Sequence, residues 1–203
     1  MIYLSGRKTE CSDEIGVMLS YNANHTINRG HSLFAADNGC FAQAHRYSDD
    51  GFLAWLDTLE KEYCLFASAP DVVGDAEATR ERAYPMLQKI REKGFKAAYI
   101  VQDGETPEMI RWDELDAIFI GGSTEWKLSQ IAADITAEAK KRGKWVHMGR
   151  VNSYKRLLYA KAIGCDSVDG TYLAFAPDQN TKNLKKWMKS IEIQPLLDLS
   201  QGR

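Results

Sequence analysis

Short apolar runs recur along the chain, and between the later ones the apolar positions fall at helical spacing. The runs are IYLSG (2–6), GVMLSY (16–21), SLFAAD (32–37), YCLFASAPD (63–71), AAYIVQD (97–103), AIFIGG (117–122), WVHMG (145–149) and DSVDG (166–170). Each is bounded by Gly, Asp or Pro and is mostly apolar at successive positions, as strands buried on both faces of a parallel sheet are. Phe52, Trp55, Leu56 and Leu59 form an i, i+3, i+4, i+7 stripe, and Ala83, Met86, Leu87 and Ile90 form another that Gly94 closes. Thr106-Pro107 reads as an N-cap followed by proline at the first helical position. Leu128, Ile131, Ile135 and Ala139 predict a helix ended by Gly143; Ser153 caps one carrying Leu157 and Leu158 that stops at Gly164. Leu184, Trp187, Met188 and Ile191 make the last stripe.

Eight strands with helices after most of them predict an α/β fold, a compact (β/α)8 TIM-like barrel forming one domain over 1–203. The segments after the first two strands are too short or too polar to predict helices. A doubly wound open sheet is the alternative. Both architectures place their chemistry in loops beyond the carboxyl ends of the strands.

Composition narrows the class without naming it. The 203 residues suffice for one buried core, and 44% hydrophobic with 27% charged residues is ordinary globular usage. A net charge of −2 carries no global signature of a polyanion binder, although local basic patches are compatible with it. No apolar run is long enough to span a bilayer, and MIYLSGRKTE lacks the apolar stretch of a signal peptide. A cytoplasmic protein is expected. Cys11, Cys40, Cys64 and Cys165 are scattered without metal-ligand spacing, so no metal and no cofactor are expected, and Cys40, Cys64 and Cys165, in or beside apolar strands, read as small buried hydrophobes.

The strand ends hold the candidate chemistry. They are Asp37, Asp71, Gln102-Asp103-Gly104, Gly121-Gly122, His147-Met148-Gly149 and Asp166-Ser167-Val168-Asp169. In a barrel they converge on one mouth, and carboxylates at apolar strand ends are costly unless paired or used. Each also has a plainer reading. Asp37-Asn38-Gly39 is common turn chemistry. Asp71 competes with Asp75 to cap the next helix. Asp103 suits a solvated loop, and Phe41 and Met148 suit a core. His147 reads as a hydrogen-bonded structural histidine, and His25, His31 and His45 as loop residues. Lys182, Lys185, Lys186 and Lys189 read as the solvated face of a helix, and Lys140, Lys141, Arg142 and Lys144 as cations at a helix C-terminus on the face away from the site.

Taken in order, these strand ends resemble the tRNA-guanine transglycosylase superfamily, which exchanges a purine in nucleic acid for a 7-deazaguanine. Asp37-Asn38-Gly39-Cys40-Phe41 stands where the family has D-S-G-G-[FY], and Val101-Gln102-Asp103-Gly104 stands where it has V-Q-G-G. The family's Gly-Gly, Met-Gly and D-x-F-D motifs are matched by Gly121-Gly122, Met148-Gly149 and Asp166-Ser167-Val168-Asp169. The resemblance runs from about residue 33 to 170. It is nearest to the short phage and bacterial members of the deoxypurine-in-DNA protein A group. The family's C-x-C-x-x-C…His zinc subdomain is missing, Asn38, Cys40 and Asp103 replace small residues, and GTYLAFAPDQN replaces a basic stretch after Asp169. These departures point to DNA rather than tRNA as the polymer.

The resemblance implies a pentosyltransferase. Asp169 would be the nucleophile forming a covalent sugar–enzyme intermediate, and Asp37 the acid and base for the leaving and entering purine. Asp71 would read the purine N1–H and 2-amino group, Gln102 and the amides near Gly121 and Gly122 would serve O6, and Phe41 and Met148 would sandwich the ring. Arg150, Lys155 and Arg156 would contact phosphate. The alternatives are a base-excising glycosylase or nucleoside hydrolase using the same pocket, and a catalytically silent nucleic-acid-binding barrel.

Overall fold

The computed structural model describes residues 1–6, 11–23 and 32–193. Its strands are β1 (Ile2–Ser5), β2 (Ile15–Ser20), β3 (Phe34–Asp37), β4 (Cys64–Ser68), β5 (Ala97–Val101), β6 (Ala117–Ile120), β7 (Trp145–Met148) and β8 (Ser167–Gly170). All pair in parallel and in chain order, and β8 returns to β1 through Tyr3↔Val168 and Leu4↔Asp169. The sheet is therefore a closed barrel and not the open alternative. Each predicted strand is present; β2 keeps its length and starts one residue earlier, and the others are shorter by residues of the flanking loops.

The helices are α1 (Cys40–Gln43), α2 (Asp49–Leu56), α3 (Ala76–Glu92), α4 (Thr124–Lys127), α5 (Gln130–Lys141), α6 (Tyr154–Ile163) and α7 (Pro177–Ile193). Their caps follow local chemistry. Ser48 accepts from Gly51 N–H at 3.2 Å, Asp75 from Ala78 N–H at 3.0 Å and Ser153 from Arg156 N–H at 3.4 Å. Asp75, not Asp71, thus caps α3. Gly164, at φ 101°, ends α6.

Two predicted helices come out differently. Thr106-Pro107 opens only short 3-10 turns, Pro107–Met109 and Trp112–Glu114, before the chain enters β6. The buried stripe of α5 is Ala132, Ile135, Thr136 and Ala139. Leu128 and Ile131 are each 43% exposed: Leu128 ends α4, ahead of the turn into α5, and Ile131 sits in the first turn of α5 beside the buried stripe. Among the described residues no helix precedes β3. His25 and His31 lie outside the described residues, whereas His45 is exposed on a 3-10 turn.

Strand alternation divides the core into two layers. Ile118, Val146, Met148 and Val168 pack outward against Leu87, Ile135, Leu184 and Met188 of the helices. Leu4, Met18, Ala35, Phe66, Ala98 and Phe119 fill the barrel interior. Phe66 meets Phe119 and His147 there with ring centroids 6.3 and 5.1 Å apart, contacts between non-adjacent strands that only the interior permits. No helix among the described residues is long and apolar enough to cross a membrane.

Candidate active site

At the carboxyl ends of the strands, a cavity of about 140 Å³ opens among Asp37, Phe41, Asp71, Gln102, Arg150 and Asp169. That is close to the roughly 150 Å³ that admits a benzene ring in an engineered core, so a single six-membered ring fits, and a bicyclic one would extend from it into the mouth. Gly121, Gly122 and Gly149 complete its rim, and Met18, Ile100 and Phe119 give it apolar walls. A Cβ on Gly121 would stand 2.7 Å from Ile100 Cγ2, so only glycine lets the β6 backbone approach there.

Asp37 closes β3 with one oxygen tied down. Its Oδ2 accepts from the Ser20 hydroxyl at 3.0 Å and from Gly39 N–H at 3.1 Å. Burial pushes its pKa up to about 6, with the Asp71 and Asp169 carboxylates adding to the rise and the Ser20 bond opposing it. The next residue serves both the turn and the site. Asn38 accepts from Cys40 N–H at 2.6 Å, the Asx turn, and donates to Ala69 C=O at 2.7 Å and to Asp71 Oδ1 at 3.2 Å. The AADNGCF stretch is thus a turn that also fixes a second carboxylate.

Asp71 is buried between two amides, accepting from Asn38 and, at 2.7 Å, from Gln102 Nε2. Burial raises its pKa, and these hydrogen bonds together with Arg82 pull it down. Gln102 is committed at both ends, because its Oε1 accepts from Gly74 N–H at 3.0 Å. Its contribution is to hold Asp71 and the 72–74 loop. Asp103 accepts from the Ser123 amide at 2.7 Å and the Ser123 hydroxyl at 2.6 Å, which fixes the loop that follows β6.

Asp169, on β8, shares the cavity with Asp37. Its Oδ1 accepts from His147 Nε2 at 3.0 Å and more weakly from Arg150 N–H at 3.3 Å. Among the described residues its other oxygen has no hydrogen-bond partner. His147 is fully buried on β7, and its Nδ1 stands 2.9 Å from the Ser167 hydroxyl. His147 is hydrogen-bonded, as its sequence reading expects, and its carboxylate partner lies twenty-two positions away. Only the β7–β8 pairing brings them together.

Met148 does not line the cavity. It neighbours His147 on β7, so alternation turns it outward into the helix layer, where it is buried. Met18 of β2 supplies the sulfur-bearing wall instead. Phe41, 63% exposed, stands at the rim with the Arg150 guanidinium 4.9 Å above its ring. Arg150 also donates to Gly122 C=O, and its φ of 59° is a left-handed conformation unusual for arginine. Arg156 donates to Arg150 C=O at 3.4 Å, while Lys155 is exposed on α6 and does not line the cavity.

Lys127 carried no sequence signal. Its buried ammonium donates to Gly149 C=O at 2.7 Å, and burial first, then Arg150, brings its pKa down to about 8. It anchors the β7 end from behind. Among the described residues no group of three or more His, Cys, Asp or Glu could hold a metal, and all four cysteines are free thiols.

No protein-family model matches the chain. No curated protein matches it. Solved structures do match. Mandelate oxidase with benzoyl-formic acid is 12% identical, with a TM-score of 0.59, over 88% of this chain and 63% of that one. A variant mandelate oxidase carrying an FMN adduct gives 11%, 0.60, 88% and 65%. Tryptophan synthase from M. tuberculosis gives 15%, 0.50, 79% and 60%. The chain is a TIM barrel. It spans less than two thirds of the length of these barrels, and at such identities the likeness concerns the fold alone.

Proposed function

We propose that this barrel is a base-exchange pentosyltransferase that replaces a guanine-type purine in nucleic acid, DNA rather than tRNA, with a 7-deazaguanine. One observation carries the proposal. Asp37 and Asp169 share a cavity sized for a flat ring, one with a raised pKa and the other held by a histidine and a backbone amide. Paired carboxylates in contrasting surroundings suit cleavage of a glycosidic bond.

In this mechanism the free oxygen of Asp169 attacks C1′ of the sugar. As the bond from C1′ to the purine nitrogen breaks, its electron pair goes to the base and Asp37 delivers a proton there. The entering base then gives a proton to the Asp37 carboxylate, and its ring nitrogen displaces Asp169 from C1′, restoring both side chains. Asp71, braced by Asn38 and Gln102, accepts from the N1–H and 2-amino edge of the purine. Phe41 offers its face to the ring at the mouth, and Arg150, with Arg156 beside it, is placed to meet a phosphate as Phe41 turns to the base. A base in a duplex must first be flipped out of the stack.

The test is incubation with guanine-containing DNA and labelled 7-deazaguanine. Label retained in the polymer supports exchange, and Asp169→Asn lowers its incorporation by about 10⁴-fold or more without unfolding the chain. Abasic sites without label would instead identify a base-excising hydrolase. Binding with neither outcome removes both, as does full turnover by the Asp169→Asn variant.

A further inference from the structure

Behind Asp169 runs a chain of three side chains whose hydrogens can be placed from chemistry alone. Trp145 Nε1 lies 2.9 Å from Ser167 Oγ, Ser167 Oγ lies 2.9 Å from His147 Nδ1, and His147 Nε2 lies 3.0 Å from Asp169 Oδ1. An indole nitrogen only donates, so Ser167 accepts from Trp145. No other acceptor for the Ser167 hydroxyl stands among the described residues, so its proton goes to His147 Nδ1. The remaining imidazole proton then sits on Nε2 and points at Asp169. The opposite tautomer would leave the hydroxyl proton without an acceptor and set a nitrogen lone pair against a carboxylate oxygen.

We infer that His147 is a positioning residue for Asp169: a neutral imidazole locked as its Nε2–H tautomer by Ser167 and Trp145, which ties down Oδ1 and leaves Oδ2 facing the cavity. The surroundings favour a ring that neither turns nor exchanges with solvent. His147 and Ser167 are fully buried, and Phe66 and Phe119 enclose the imidazole at 5.1 and 4.5 Å between centroids. The bond also distinguishes the two states of Asp169. A hydrogen bond to a carboxylate is about twice as strong as one to a neutral acceptor. An Asp169 ester therefore gains less from His147 than the carboxylate does, which favours ester breakdown at some cost to attack, so the benefit to base release lies in orienting Oδ2. No proton leaves the imidazole at any stage. The effect on turnover rests on the transglycosylation proposed above, whereas the tautomer does not.

The experiment has two arms on the full chain. The first is ¹⁵N NMR of histidine-labelled protein, with the His147 signals assigned from a His147→Gln sample. The Nε2–H tautomer is expected in the wild type; in Ser167→Ala the Nδ1 signal is expected to shift as it loses its donor, while Nε2–H stays held by Asp169. A wild-type Nδ1–H signal, or an equal mixture, overturns the inference. The second arm compares His147→Gln, whose amide keeps a donor near the Nε2 position, with His147→Leu, which keeps volume and loses the donor. Base release should fall about 10- to 100-fold in the leucine variant, in kcat rather than KM, with much of the loss recovered by glutamine. Equal losses in both, or a loss confined to KM, would make His147 a packing residue only. A wild type that releases no base removes the transglycosylation proposal, and the tautomer is then decided by the spectrum alone.

Discussion

Asp37 has neighbours that pull its proton in opposite directions. Burial and two carboxylates raise its pKa to about 6, and Ser20 and Gly39 stabilise the ionised form without overcoming that rise. The folded chain therefore holds this proton more tightly than the unfolded chain, whose aspartates titrate near 3.9. Stability contributed by the protonated form is complete below about pH 4 and is lost as pH rises through about 6. Asp37→Asn keeps an acceptor for Ser20 and Gly39 and removes the ionisation. The variant is expected to match the wild type at pH 4 and to be more stable at pH 8, by about 1–3 kcal/mol once partial solvent access is allowed for. Urea denaturation at the two pH values measures this, and a variant destabilised equally at both would show that the carboxylate is not strained. Under the proposed mechanism the same substitution removes the acid, so stability gained at this residue would be catalysis lost.

The carboxyl end of β7 shows how one element serves the core and the site through neighbouring residues. His147 turns in to Asp169, Met148 turns out to the helices, and Gly149 passes close to Phe119. A Cβ on Gly149 would stand 2.6 Å from Phe119 Cε2 and 3.3 Å from Asp169 Oδ1. Gly149→Ala is expected to cost about 1–3 kcal/mol and to displace Phe119 from the His147 ring, reducing activity along with stability. Gly143→Ala is the control. Its Cβ meets nothing within 4 Å, so its φ of 68° lowers stability, by about 1 kcal/mol, and leaves turnover alone. Equal activity in the two variants would show that crowding at β7 does not reach the site. This element also marks where sequence stops being informative. Strand positions were legible because the apolar runs are dense, and the strand-end aspartates because charge interrupts them. That density erased the polar alternation that tells inward from outward positions, so Met148 was assigned to the cavity and Met18 was overlooked. Partners such as His147 with Asp169, or Lys127 with Gly149, exist only once strands far apart in sequence are neighbours.

Across the whole molecule the two ends of the barrel do different work. The carboxyl end collects buried carboxylates, a left-handed arginine and an exposed aromatic ring. The amino end carries repeated braces. Asp116, just before β6, accepts from Arg91 Nη2 at 2.8 Å, Arg91 Nε at 3.1 Å and Ala97 N–H at 2.9 Å. Asp166, just before β8, accepts from Lys140 Nζ at 2.6 Å and Val146 N–H at 2.8 Å. Lys140 thus belongs to a brace, while Lys182, Lys185, Lys186 and Lys189 face solvent on α7. Asp116→Ala is expected to lower the unfolding free energy by about 1–2 kcal/mol with base exchange unchanged. A change in turnover at constant stability would contradict this division between the ends.

The seam of the ring lies where β8 meets β1, and Asp169 is hydrogen-bonded into that seam opposite Leu4. During synthesis, Asp37 and Asp71 emerge long before the strand that carries Asp169. A nascent polypeptide short of its eighth strand lacks one of the two carboxylates that the proposed reaction needs. Sealing the ring and completing the carboxylate pair are therefore one event.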